Sequence, residues 1–165
     1  MAVTVARAAG ALQIFVTDVD QRRLDLAKKL GADHAYLATD PWKEKIVEAT
    51  GGVGPNVMLE MSGNPHAIRD GFEVLRGGGT VAMLGIPAKE ISVNLANSVI
   101  FKGATVIGIN GRNMFKTWYQ MEDLILSGRL DLDPIVTHVI AMKDFEKGFK
   151  MMQTGEAIKV VMEIG

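Results

Sequence analysis

Cysteine is absent from this chain of 165 residues, which excludes a disulfide framework and any thiolate metal site. Histidine is scarce as well. His34, His66 and His138 are the three present, and they lie too far apart in sequence to propose as a preassembled ligand set. No stretch approaches the roughly 20 apolar residues of a membrane span, and the N-terminus lacks the charged-then-apolar layout of a secretory signal. Neither sign of charge dominates: 18 basic residues stand against 19 acidic ones, for a net charge of −1. With no basic block, neither a nucleic acid nor an anionic membrane is expected as a partner. Thiols leave the redox compartment unreadable, so a cytoplasmic protein is the default expectation. Internal repeats and low-complexity segments are also missing. What remains is 48% hydrophobic and 22% charged residues, an ordinary globular composition with enough chain for one soluble domain with a real core.

Apolar runs bounded by glycine or proline alternate with segments of helical period, the pattern of a parallel sheet covered on both faces. Strands are expected near Leu12–Thr17, Ala35–Leu37, Asn56–Met61, Thr80–Leu84 and Thr105–Ile109. Helices are expected near Gln21–Leu30, Pro41–Thr50, Pro65–Arg76 and Leu95–Phe101. Gly31 follows Lys28 and Lys29 as a C-cap glycine would, and Gly77-Gly78-Gly79 closes the helix before the next strand. Beyond Gly111 a long amphipathic helix sets Trp118, Met121 and Ile125 at helical spacing until Asp131-Leu132-Asp133-Pro134 breaks it. A strand near Val136–Ile140, a helix with Phe145, Phe149 and Met152 on one face, and a strand Lys159–Ile164 make a tail of a different kind. The ten methionines are read as core packing.

Asp18 closes the apolar run Leu12-Gln13-Ile14-Phe15-Val16-Thr17 just before a helical stretch. In a dinucleotide-binding βαβ unit, an acid at that place accepts from the adenosine ribose, about 20 residues after a G-x-G-x-x-G turn. No such turn precedes it, and Met1 to Gly10 reads as the back half of the helix that would follow one. The chain is therefore expected to begin inside its own cofactor site. A plain reading stands beside this one, in which Asp18 is a solvated acid or an N-cap at a strand-to-helix turn.

The segments Leu59-Glu60-Met61-Ser62-Gly63, Met83-Leu84-Gly85-Ile86-Pro87, Phe101-Lys102-Gly103 and Gly108-Ile109-Asn110-Gly111-Arg112 resemble the zinc-dependent medium-chain alcohol dehydrogenase superfamily, and within it the threonine dehydrogenases. Met114 to Tyr119, Ile135-Val136-Thr137-His138 and Asp144 to Phe149 are similar to the C-terminal part of the same enzymes. The likeness runs in order over nearly the whole chain and covers about the second half of such an enzyme. It implies an α/β fold, a Rossmann-type doubly wound parallel sheet lacking its first strand and glycine-rich loop, plus a short C-terminal segment from the catalytic domain. On that reading residues 1–127 form an incomplete NAD-binding domain and 128–165 the catalytic-domain segment.

The resemblance also implies roles. Asp18 accepts from the ribose hydroxyls and repels a 2′-phosphate, favouring NAD over NADP, and Arg23 lies at the adenosine end or simply faces solvent. Leu84, Gly85 and Ile86 follow a strand at the carboxyl edge where ligands gather in open α/β sheets; their backbone is implied to meet the nicotinamide, although Gly85 could merely serve a tight turn. Ile109 and Asn110 are implied to meet the carboxamide, and Arg112 a phosphate or a neighbouring loop. Ser62 and Gly63 form wall or contact on the same edge. His66 and His138 are read as structural, and Asp20-Gln21-Arg22-Arg23 as a solvated helix start. No residue is assigned as catalytic or as a metal ligand. Zinc belongs to the complete family enzyme, in which three protein ligands and an open position polarise the alcohol.

The expected function is the NAD-binding portion of an enzyme that oxidises the threonine hydroxyl to 2-amino-3-ketobutyrate, with weak or absent NAD binding and no turnover by this chain alone. A non-catalytic oligomerisation or binding module, and a piece of a sorbitol or alcohol dehydrogenase, remain as alternatives. A small-molecule substrate is expected only for the complete enzyme. The Leu12–Thr17 and Asn56–Met61 strands would each lack a neighbour, and Thr105–Ile109 would pair across a two-fold axis, so a homo-oligomer, at least a dimer, is expected. The alternating Met1-Ala2-Val3-Thr4-Val5-Ala6 segment offers itself as a replacement strand.

Overall fold

The computed structural model describes all residues, Met1–Gly165. The chain opens with helix α1 (Ala2–Ala8), strand β1 (Phe15–Asp18), helix α2 (Gln21–Lys29) and strand β2 (His34–Leu37). Next come α3 (Trp42–Ala49), β3 (Val57–Glu60), α4 (Pro65–Val74) and β4 (Thr80–Met83). A π-helical turn (Ala96–Ile100) leads into β5 (Thr105–Gly108) and then α5 (Lys116–Leu126). The tail holds β6 (His138–Ala141), a 3₁₀ turn (Met142–Asp144), α6 (Phe145–Gln153) and β7 (Val160–Glu163). The alternation of strand and helix, with every ladder parallel, bears out the α/β class.

Two compact units result, one made of Met1–Ala38 with Met114–Gly165 and the other of Thr39–Asn113. In the first, β1 pairs with β2 and β6 with β7 as separate two-stranded sheets. Its core gathers Ile14, Ala27 and Ala32, against which Val3, Ala6, Ala11 and Val16 pack. Arg7 ties α1 to the entry of β2 by donating to the carbonyls of Ala11 and Gly31 and to Asp33 Oδ2 at 2.6 Å. The same carboxylate oxygen accepts from the N–H of Ile14 at 2.7 Å. In the second unit β3, β4 and β5 form a three-stranded sheet in that order. Ile68, Phe72, Leu75 and Val81 make its core, with Met58, Met83, Val99 and Ala104 around them.

Side-chain caps start two of the helices, α2 at Asp20 and α4 at Asn64. Asn64 Oδ1 accepts from the N–H groups of His66 and Ala67, with Pro65 at the first helical position of α4. Lys102 closes the other end of α4: its ammonium donates to the carbonyls of Phe72 (2.7 Å), Glu73 (2.8 Å) and Leu75 (2.5 Å).

Several expectations are corrected. The Met1–Ala6 stretch is helical, not a replacement strand, because Val3 and Ala6 reach the Ile14 cluster from one face of α1. The first strand begins at Phe15, since Asp33 holds the Ile14 N–H and Leu12 stands 88% exposed. Half of the methionines are not core: Met151 is buried and Met58 and Met83 pack against the second unit's core, whereas Met1, Met61, Met114, Met121 and Met142 are exposed. On α6 the buried positions are Gly148 and Met151, and Phe145 and Phe149 lie exposed in an edge-to-face pair at 6.5 Å. Gly148 sits there because a Cβ would press on the side chains of Ile140 and Val160.

Candidate functional site

In the first unit the acid that ends β1 is turned to local use on one oxygen. Asp18 Oδ1 accepts from the N–H of Asp20 at 3.0 Å, and Oδ2 lies 3.9 Å from the Arg23 guanidinium. The Asp18 side chain is 27% exposed and that of Arg23 52% exposed, so the structure brings the two together at the carboxyl end of β1 with solvent access. The neighbouring pair serves the helix: Asp20 caps α2 by accepting from the Arg22 N–H, and the Arg22 guanidinium folds onto the same carboxylate at 2.8 Å. That contact holds the Asp20 carboxyl below the usual carboxylate range and raises the Arg22 guanidinium. A shallow cavity of about 560 Å³ lies elsewhere in this unit, lined by Val5, Ala8, Gln120, Asp123, Ser127 and Arg129 among others, and takes in none of the expected site residues.

In the second unit the remaining expected residues collect at the carboxyl ends of three adjacent parallel strands. The N–H groups of Leu84 and Gly85 both donate to the Glu60 carbonyl, at 2.8 and 3.1 Å, and the Ile109 N–H donates to the Met83 carbonyl at 2.9 Å. Leu84, Ile86, Ile109 and Asn110 are exposed along this edge. The Leu84, Gly85 and Ile109 amides are spent on the sheet edge itself, and the Leu84, Ile86 and Ile109 side chains form an apolar ledge open to solvent. Gly63 takes φ +66°, and a Cβ there would come 2.5 Å from the Ile86 carbonyl oxygen. A Cβ on Gly85 would run into the Glu60 carboxylate and the Gly63 and Ser62 nitrogens. Close approach of the two loops therefore requires both glycines, in addition to any ligand contact.

Glu60 escaped the sequence reading, although it is the one buried charged residue, 3% exposed. A signal was available: like Asp18 it is an acid ending an apolar strand, and like Asp18 it accepts from the N–H two residues on.

Nothing here fits a zinc ion. No three His, Cys, Asp or Glu side chains converge on a possible metal position. His34 Nδ1 meets the Tyr36 hydroxyl at 3.3 Å, His66 Nδ1 the Arg69 guanidinium at 3.4 Å, and His138 Nδ1 the Thr137 hydroxyl at 3.0 Å. No helix is long and apolar enough to cross a membrane.

The sequence model of zinc-binding dehydrogenases matches residues 1–127. The chain belongs to the zinc-binding dehydrogenase family. An L-threonine 3-dehydrogenase of Bacillus velezensis is 48% identical over 164 residues, covering 98% of this chain and 47% of the relative. One from Chromobacterium violaceum is 46% identical, with 99% and 48% covered. This zinc-binding dehydrogenase chain thus spans about half the length of the curated relatives it matches, and it corresponds to their C-terminal half. Among solved structures, the alcohol dehydrogenase of Thermus sp. ATN1 superposes with a TM-score of 0.91 at 27% identity, covering 99% of this chain and 47% of that one. The benzyl alcohol dehydrogenase of Acinetobacter calcoaceticus gives 0.90 at 25%, covering 99% and 46%. These likenesses bear out the Rossmann-type fold class.

Proposed function

We propose that this chain is the NAD-binding portion of a zinc-type L-threonine 3-dehydrogenase, the complete enzyme oxidising the threonine hydroxyl to 2-amino-3-ketobutyrate. The observation that carries the reading is the 42–48% identity to L-threonine 3-dehydrogenases over some 98% of the chain. Benzyl alcohol and butanediol dehydrogenases reach only 25–26% over a similar span, which favours threonine over the sorbitol or alcohol alternatives. Residues 1–127 would be the incomplete NAD-binding domain and 128–165 the piece of the catalytic domain.

NAD, when bound, supplies the acceptor for the hydride that leaves the substrate carbon. Asp18 would take the adenosine ribose hydroxyls on the oxygen not used by the Asp20 N–H, with Arg23 beside it, and its charge would disfavour a 2′-phosphate. Leu84, Gly85 and Ile86 would meet the nicotinamide ring, and Ile109 and Asn110 its carboxamide. The pyrophosphate would find no glycine-turn helix N-terminus here, and each charge-assisted hydrogen bond forgone costs roughly 1.5–3 kcal/mol. NAD binding by the isolated chain is therefore weak, with Kd on the order of millimolar or above. The chain, given NAD, Zn²⁺ and L-threonine, forms no NADH, because it carries no ligand set for the metal.

The test is an NMR titration with AMP and with nicotinamide mononucleotide at millimolar concentrations. AMP shifts Asp18 and Arg23, Asp18→Ala abolishes the effect, and 2′,5′-ADP binds more weakly. Micromolar NAD affinity, or NADH formation above a no-protein blank, would contradict the reading. Self-association is part of the same proposal. Strand β5 is exposed on both faces, with Val106 and Ile107 each over 40% exposed, and β1 is laddered on one side only; both favour a homodimer or larger assembly.

A further inference from the structure

We infer that Glu60 is the positioning residue of the nicotinamide edge, clamping the loop after β3 to the loop after β4. The inference rests on the cofactor reading above and assigns a residue that it leaves out. A carboxylate that is 3% exposed and paired with no Lys or Arg is costly to bury unless its oxygens are filled by donors. They are filled locally. Oε1 accepts from the Ser62 N–H at 2.9 Å, the Ser62 hydroxyl at 2.6 Å and the Gly63 N–H at 3.0 Å, and Oε2 reaches the Gly63 N–H at 3.2 Å.

Four features turn this from a turn motif into a clamp. The main-chain carbonyl of the same residue accepts from Leu84 and Gly85, so one residue holds both loops, side chain on one and backbone on the other. Oε2 faces Gly85 so closely that no Cβ fits between them. Gly63 in turn leaves no space for a Cβ before the Ile86 carbonyl. The Ser62 hydroxyl, while donating to Glu60, accepts from the Asn64 N–H at 3.0 Å, and Asn64 caps α4. The carboxylate thus fixes the Ser62–Gly63 turn against which Gly85 and Ile86 pack, while the Glu60 carbonyl holds the start of the loop after β4.

An alanine at 60 leaves the Ser62 and Gly63 donors without a partner. A glutamine keeps the shape and one acceptor oxygen but places an NH₂ where Oε2 now meets the Gly63 N–H. The experiment compares the chain with Glu60→Gln and Glu60→Ala by NMR, using nicotinamide mononucleotide as ligand for the 84–86 edge and AMP as a control at Asp18. Expected is loss of the downfield amide shifts of Ser62 and Gly63 in Glu60→Ala, with a smaller change in Glu60→Gln, whose amide oxygen can still accept from both. Nicotinamide mononucleotide should bind about tenfold more weakly to Glu60→Ala and less weakened to Glu60→Gln, with AMP unchanged. Glu60→Gln serves if Glu60→Ala does not fold. Wild-type shifts at residues 84–86 with unaltered affinity in Glu60→Gln and in any folded Glu60→Ala overturn the clamp alone. Absence of wild-type shifts at 84–86 overturns the cofactor reading and the inference with it. Equal weakening of AMP and nicotinamide mononucleotide marks a global loss of structure and also overturns the inference.

Discussion

Replacing Lys102 with methionine keeps the aliphatic stem and removes the ammonium that closes α4. Three carbonyls in the last turn lose their donor. Those of Phe72 and Leu75 are in partly buried surroundings, at 2.7 and 2.5 Å from the nitrogen, whereas that of Glu73 is open enough for water to take over. Two shielded carbonyls at about 1 kcal/mol each, plus about 0.5 kcal/mol for a cation at a helix C-terminus, give a loss of about 2–3 kcal/mol. The backbone contact from the Gly78 N–H to the Lys102 carbonyl at 2.6 Å survives the change, so the figure refers to the side chain. Trp42, buried in the same compact unit, reports the transition in a Trp118→Phe background. With a urea slope of about 1–3 kcal/mol per molar, the midpoint should fall by about 1 M or more. A loss under about 0.5 kcal/mol would show that water satisfies all three carbonyls and that the lysine is incidental.

Three further outcomes follow from the geometry. The Ile14 N–H, and next the Arg7 guanidinium, hold the Asp33 carboxyl below its usual range; a depressed folded value means its contribution is intact above about pH 4 and lost as pH falls through the folded value. Denaturation midpoints measured between pH 6 and pH 2.5 should therefore drop less steeply for Asp33→Asn than for the parent chain, and parallel curves would disprove the linkage. Gly63→Ala should cost about 2–3 kcal/mol, from a left-handed backbone at φ +66° and a Cβ 2.5 Å from the Ile86 oxygen, measured by the same urea series; a neutral change would mean that the loop after β4 yields freely. Light scattering at micromolar concentration should report a dimer or larger species, and a cooperatively unfolding monomer would refute the association proposal.

The alternation of strand and helix was legible because glycine and proline punctuate each change of period, as Asn64-Pro65 does before α4 and Gly31 does after α2. Strand ends were less so. A ladder ends where its partner ends, and at Ile14 a side chain from β2's approach takes the N–H before the ladder begins. Burial was the least legible. Period shows that Phe145 and Phe149 share a face, but not whether anything covers it, and that face is open. Asp18 stood out because an acid that ends a strand just before a helix has a known use in dinucleotide binding. Glu60, with the same position at a strand end, was hidden in a motif quoted for its likeness, and its clamp on Gly85 joins residues 25 positions apart. Lys102 lies some 30 residues from the carbonyls it closes, beyond any local pattern.

Of the strands in this chain, β4 alone has a neighbour on each side; every other strand is an edge. Deuterium should accordingly enter the molecule very unevenly. Amides of the two-stranded pairs exchange through small local openings, while Val81, wholly buried at the centre of the three-stranded sheet, is released only when the Thr39–Asn113 unit opens as a whole. The slowest amide in β4 would then read out that unit's global stability without any denaturant.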